Sequence, residues 1–255
     1  MTITDTHTHL YSESFKEDRD EMVNRALEAG ITRFFIPAID STYAEAMFDL
    51  ENSFPENVFL MAGLHPTSVK ENYKEELAFV AKELKRRKYV AVGEIGIDLY
   101  WDTSTLAIQQ EAFRKQIRLA KEYNLPIVIH CRNAFDEVFE VLELEKDEKL
   151  FGIFHCFTGN YEQAQQALSY NMKLGIGGVV TFKNGKIDTF LRQIPLKDIV
   201  METDSPYLAP APYRGKRNES AYILKVLNKL AEIYQCRPEE IAEITTRNSK
   251  DIFGV

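Results

Sequence analysis

A single α/β domain folded as a (β/α)8 TIM barrel is what this sequence predicts. Three observations carry the expectation. Eight short apolar runs alternate with helical patterns along the whole chain. All five histidines fall where such runs end, beside Glu94, Glu202 and Asp204. And the 255 residues match one α/β barrel, commonly about 250 residues long, whose chemistry sits at the C-terminal ends of its strands.

The elements follow in order. Ile3–Thr6 is a short first strand running into DTHTHL, and a helical pattern over Asp18–Ala29 stops at Gly30. Thr32–Ala38 is the second strand, and Ser41-Thr42 starts a helix over Tyr43–Asn52. Val58–Leu64 leads to a helix over Tyr73–Arg87, and Val90–Gly96 to one over Leu106–Tyr123, with Asn124 and Pro126 beyond its end. Pro126–His130, Phe151–His155 and Lys173–Gly177 are the next strands, separated by helices over Ala134–Glu143 and Tyr161–Tyr170. Only the short stretch Asn184–Ile194 precedes the eighth strand, Asp198–Glu202; Glu219–Tyr234 and Pro238–Ile252 are terminal helices. Val, Ile and Phe dominate several strands, as in sheets covered on both faces. Strict alternation without a glycine-rich turn implies parallel strands joined by crossover helices. Candidate ligands on the first, fourth, fifth, sixth and eighth strands favour closure, since an open sheet would string them along a line. No linker or low-complexity tract divides residues 1–255. Gly175–Gly178 reads as close backbone approach at the barrel mouth rather than a dinucleotide loop.

Composition narrows the function classes. The net charge of −8 speaks against a general nucleic-acid coat protein. It speaks less against an enzyme acting on nucleic acid, because two divalent cations would bring −8 to −4. The start has neither the cationic nor the apolar region of a signal peptide, and no run reaches the roughly 18–20 apolar residues of a membrane span. Three cysteines without CxxC spacing suit reduced thiols and a cytoplasmic protein, and no obligate protein partner is expected. Cys131 and Cys156 each follow a histidine, which on a strand turns them toward the helical layer.

The chemistry-bearing residues are of metal-ligand type. His7 and His9, two apart, share a face on or just beyond the first strand, with Asp5 two before. Glu94 lies in an apolar, glycine-flanked run, where a carboxylate without a cation would carry a heavy desolvation cost; its two oxygens can bridge two ions. Asp98 has a supporting or substrate-contacting role. His130 and His155 end consecutive strands, about 4.8 Å apart if paired, so they can share an ion. Asp204 is expected to ligate a metal and take a proton from the attacking water; Glu202 either touches a metal or braces the site. His65 is expected in substrate contact or proton transfer, and Arg132 and Arg214 in phosphate binding. Lys216 and Arg217 read as a solvated loop. Tyr207, Trp101 and Phe157 are candidates for stacking on unpaired bases.

These residues together resemble the TatD family of metal-dependent deoxyribonucleases, within the amidohydrolase-like TIM-barrel superfamily. The motifs are DTHTHL at the start, GLHP at 63–66, VGEIGID at 92–98, IHCR at 129–132, FHCFTG at 154–159, ETDSPYL at 202–208 and RGKRNE at 214–219. The resemblance implies one metal on His7, His9, Glu94 and Asp204, and a second on Glu94, His130 and His155. It implies Mg²⁺-dependent hydrolysis of DNA phosphodiesters, often from single-stranded ends, by a metal-activated water. Histidine-rich ligation fits Zn²⁺, Mn²⁺ or Fe²⁺ better than Mg²⁺ by softness, so the expectation is two divalent ions of open identity: Mg²⁺, Mn²⁺ or Zn²⁺. The alternatives are an amidohydrolase-type enzyme for a small ester, lactone or amide, and a catalytically weak nucleic-acid binder. The intact ligand set argues against the last.

Overall fold

The computed structural model describes residues 1–255. Eight parallel strands alternate with helices: β1 (Ile3–Asp5), α1 (Arg19–Glu28), β2 (Ile31–Ile36), α2 (Ala44–Ser53), β3 (Val58–Leu60), α3 (Tyr73–Arg86), β4 (Val92–Asp98), α4 (Leu106–Tyr123), β5 (Ile127–Arg132), α5 (Phe135–Leu144), β6 (Gly152–Phe154), α6 (Tyr161–Ser169), β7 (Met172–Ile176), β8 (Ile199–Met201), α7 (Ile223–Tyr234) and α8 (Pro238–Phe253). The strands form two arcs, β1-β2-β3 and β4 through β8. An isolated bridge from Ala62 to Val92 joins β3 to β4. The Thr6 amide donates to Met201 O at 3.0 Å, joining β8 back to β1 and closing the barrel. No helix is long and apolar enough to cross a membrane.

Helix ends follow local chemistry. Asn160 and Gln163 form a reciprocal capping box on α6, and Asn124 ends α4 in the left-handed conformation. Between β7 and β8 only single 3-10 turns fit, consistent with the short segment there.

Alternation along the strands sorts the core into two shells. Ile127, Ile129, Phe154, Ile199 and Met201 belong to the large cluster between sheet and helices. Their neighbours Val128, Ile153 and Val200 turn inward and pack with Phe35, Met61 and Ala91 inside the barrel. Ile252 and Phe253, at the end of α8, join this inner cluster, with the Phe253 ring stacked 4.0 Å from Phe35. The barrel is therefore filled at the end remote from its mouth.

Three local expectations change. β1 ends at Asp5, so Asp5, His7 and His9 do not share a strand face. The Asp5 carboxylate instead accepts the Thr203 amide (2.9 Å) and hydroxyl (2.6 Å) and the Ser220 hydroxyl (2.7 Å). Cys156 lies beyond β6 with φ +43°, not on a strand face turned to the helices. Asp204, Glu202 and Glu94 all help to push its thiol pKa up, after burial itself. Phe157 is buried against Phe135 and Phe154, so it is core and offers no surface for stacking.

Candidate metal centre

The site grows out of the same inward faces that fill the barrel. Two residues after Val128 comes His130, after Ile153 His155, and after Val200 Glu202, each keeping its strand's inward direction. At Glu94 the register of β4 on β5 slips by one residue, a bulge of the kind that re-aims a side chain beside active sites. Gly96, at φ +140°, lies so close to β5 that a Cβ there would stand 2.0 Å from His130 O. A Cβ at Gly175 would stand 2.2 Å from Glu202 Oε2, which is the close approach that the glycine run predicted.

Glu94 is the hub, 2 % exposed. Its Oε2 lies 3.1 Å from His7 Nε2 and 3.7 Å from His9 Nε2. Its Oε1 lies 2.8 Å from His130 Nδ1, 3.3 Å from His65 Nε2 and 3.4 Å from His155 Nε2. One carboxylate thus divides the histidines into two sets, one per oxygen. Asp204 Oδ1 joins the first set, 3.5 Å from His9 Nε2 and 3.9 Å from His7 Nε2. Asp204 adopts φ +56°, a conformation Asp tolerates better than most residues, and its amide donates to His7 O at 2.9 Å.

The outer nitrogen of each ring determines what the inner one offers. The Tyr11 hydroxyl donates to Pro37 O (2.9 Å), so it accepts from His9 Nδ1 (2.9 Å), freeing the Nε2 lone pair. Asp98 Oδ2 faces His130 Nε2 at 2.9 Å, and Glu202 Oε1 faces His155 Nδ1 at 3.0 Å, close but off the ideal hydrogen-bond angle. Such outer partners fix the tautomer in which the inner nitrogen is a ligand. His65 differs. Its Nδ1 accepts the Thr67 amide at 3.1 Å, so in the neutral ring the proton sits on Nε2, facing Glu94. Glu202 stands behind His155, accepting the Cys156 amide at 2.7 Å, rather than beside the hub. Asp98 stands in the supporting place expected of it behind His130; Tyr11, behind His9, is a supporting residue whose only sequence signal is the continued spacing of two after His9.

The electrostatics fit a cation. Burial pushes the Glu94 carboxyl upward, but the charges of His65, His7 and His155 outweigh it and hold the group well below its ordinary range. Asp204 is lowered too, the effect of His9, His155 and His7 exceeding that of burial. Burial depresses His155, yet the surrounding Glu202, Glu94 and Asp204 bring it up to about 10. A field that holds a proton so firmly also attracts a metal ion, which competes for the same lone pair. Burial lowers His7, whose two ring nitrogens have no hydrogen-bond partner; its ring stacks on His155 at 3.5 Å. Buried, unpartnered and aimed at carboxylates, His7 has the surroundings of a metal ligand. Three groups of donors lie close enough to hold an ion: His7–His155–Asp204, His7–His9–Glu94 and His65–Glu94–His130.

The arginines divide. Arg132 is exposed and lies over the Tyr100 ring. Arg214, also exposed, lies 3.7 Å over the Phe182 ring and donates to Ala209 O at 3.4 Å. Arg217 is exposed in its loop, as expected, and there grips Asp18 with two nitrogens at 2.6 and 2.7 Å. That hydrogen bonding brings Asp18 down to about 2.

Comparisons with known proteins agree with this geometry. The family model described as TatD related DNase matches residues 4–254. The chain is 41% identical over 253 residues to YabD of Bacillus subtilis, an uncharacterized metal-dependent hydrolase, covering 98% of each. It is 34% identical over 262 residues to YcfH of Escherichia coli, also an uncharacterized metal-dependent hydrolase, covering all of this chain and 97% of that one. The crystal structure of YjjV, a TatD homologue from Escherichia coli, superposes with TM-score 0.93 at 29% identity, over 99% of this chain and 98% of that chain. The chain belongs to the TatD family and is a metal-dependent hydrolase.

Proposed function

We propose that this TatD-family hydrolase cleaves DNA phosphodiester bonds, working from single-stranded ends, with two divalent ions: Mg²⁺, Mn²⁺ or Zn²⁺. The observation that carries the two-ion reading is the division of histidines between the oxygens of Glu94. His7, His9 and Asp204 would hold one ion with Oε2; His130 and His155 would hold the other with Oε1. When bound, such ions activate water and offset the charge that builds on phosphorus.

The remaining work falls to the chain. Asp204, held ionised by its histidine neighbours, accepts the proton of the attacking water at Oδ1. Glu202 and Asp98 keep His155 and His130 oriented. His65 presents its Nε2–H to a phosphoryl or leaving oxygen. Arg132 and Arg214, both exposed, supply the phosphate grip that a carbonyl substrate would not need.

The test compares turnover of a single-stranded oligonucleotide, its duplex, and a panel of esters and lactones, with Arg132→Ala and Arg214→Ala alongside. DNA turnover that favours the single strand and falls in both variants is expected. Faster ester or lactone turnover, or variants that keep the full nuclease rate, would overturn the reading in favour of a small-ester hydrolase.

A further inference from the structure

Arg132 is set apart from the other arginines of the loops around the mouth. Arg217 is taken up by Asp18, and Arg214 reaches a carbonyl. The Arg132 guanidinium lies 3.7 Å from the centre of the Tyr100 ring and 5.6 Å from that of Trp101. The two rings meet edge to face at 4.9 Å. Both are open to solvent, Tyr100 at 53% and Trp101 at 70%. Single exposed apolar side chains need no explanation, but this group is built into the site. The buried Asp98 accepts the Tyr100 amide at 2.9 Å and the Trp101 amide at 3.3 Å on Oδ1, while Oδ2 faces His130. One carboxylate therefore hangs the aromatic pair and orients a proposed ligand.

We infer that Tyr100, Trp101 and Arg132 form a stacking platform for an unpaired nucleobase flanking the scissile phosphate. This rests on the DNA reading above and adds a base subsite to it. Flat, solvent-open π faces and a stacked cation match a base with a phosphate beside it, and stacking accepts any base. A paired base inside a duplex cannot present its face to the platform, so the subsite also accounts for a single-strand preference. Asp98 sets the distance between platform and centre, because both hang from it.

Trp101 is the sole tryptophan of the chain, so intrinsic fluorescence reports on the platform in the unaltered protein. Metal-loaded protein is titrated with a slowly hydrolysed phosphorothioate oligothymidylate and with an abasic phosphodiester chain of equal length. Saturable quenching by the first and not the second is expected. In turnover, Trp101→Ala and Tyr100→Ala should each cut the preference for the base-bearing over the abasic chain about tenfold, with Trp101→Phe restoring most of it. DNA turnover with no quenching, or equal quenching by both chains, overturns the platform and leaves the DNA reading intact. Absence of any DNA hydrolysis by metal-loaded protein overturns the DNA reading and the platform together.

Discussion

The inside of the barrel has one lining and two chemistries. Val128, Ile153 and Val200 face inward in the lower layer, against Phe35, Met61 and Phe253. Two residues on, the same faces carry His130, His155 and Glu202. Burial is as deep in both layers: Val128 and Glu202 are each fully buried. In the apolar layer every contact is complete within the chain, and burial itself stabilises. In the polar layer burial costs free energy unless each group is answered, and His7 has no answering partner. The lower layer holds the barrel; the upper layer gathers imidazole nitrogens and carboxylates of the kind that hold a metal ion. Stability and function occupy opposite ends of the same strands.

The largest expected effect breaks the upper layer alone. Glu94→Ala removes the group to which both histidine sets point. Loss of at least one metal and near-complete loss of turnover should follow, with circular dichroism unchanged; EDTA should reproduce the loss reversibly, since the apolar core does not need the ions. Metal analysis showing full occupancy together with an unchanged rate would refute the hub role.

Phe35→Ala should do the reverse. It opens a cavity where Phe35 meets Phe253 and should cost about 3–5 kcal/mol of stability, read by denaturant titration. Metal content and turnover of the remaining folded protein should be retained. A matching loss of metal would mean that the two layers are not separable.

A smaller effect sharpens the boundary between them. Burial lifts Asp5 to about 7 against the lowering pull of its Thr203 and Ser220 hydrogen bonds, whereas in the unfolded chain its pKa is about 3.9. The folded state thus holds this proton more tightly. Asp5 therefore makes stability fall as pH rises from about 4 to about 7, with no further change above. Between about pH 5 and 7 the loss should be on the order of 2 kcal/mol in metal-free protein, and Asp5→Asn should flatten it. Parallel pH profiles for wild type and variant would show that the hydroxyls keep the carboxylate ionised throughout.

Period and order alone made the eight strands and their helices legible, because apolar alternation with crossover helices leaves few topologies open. The convergence of His130 with His155 could be read from their matched places on consecutive strands. Side-chain direction beyond a strand's last ladder bond could not. Asp5, His7 and His9 look like one face by spacing, yet β1 stops at Asp5, and the turn that follows sends Asp5 to Thr203 and His7 to Glu94. Cys156 is misread for the same reason, as it too lies past the end of its strand.

Residue types and strand period suffice for the barrel, for the cluster of imidazoles and carboxylates at its mouth and for the metal-dependent chemistry they imply. Tertiary structure alone decided the division of labour within that cluster. Which oxygen of Glu94 meets which histidine, and which ring nitrogen is free, depend on partners far off in sequence: Pro37 behind Tyr11, Glu202 behind His155. Hydrogen bonds are directional and short, so they are fixed only once distant strands have been brought to their final register.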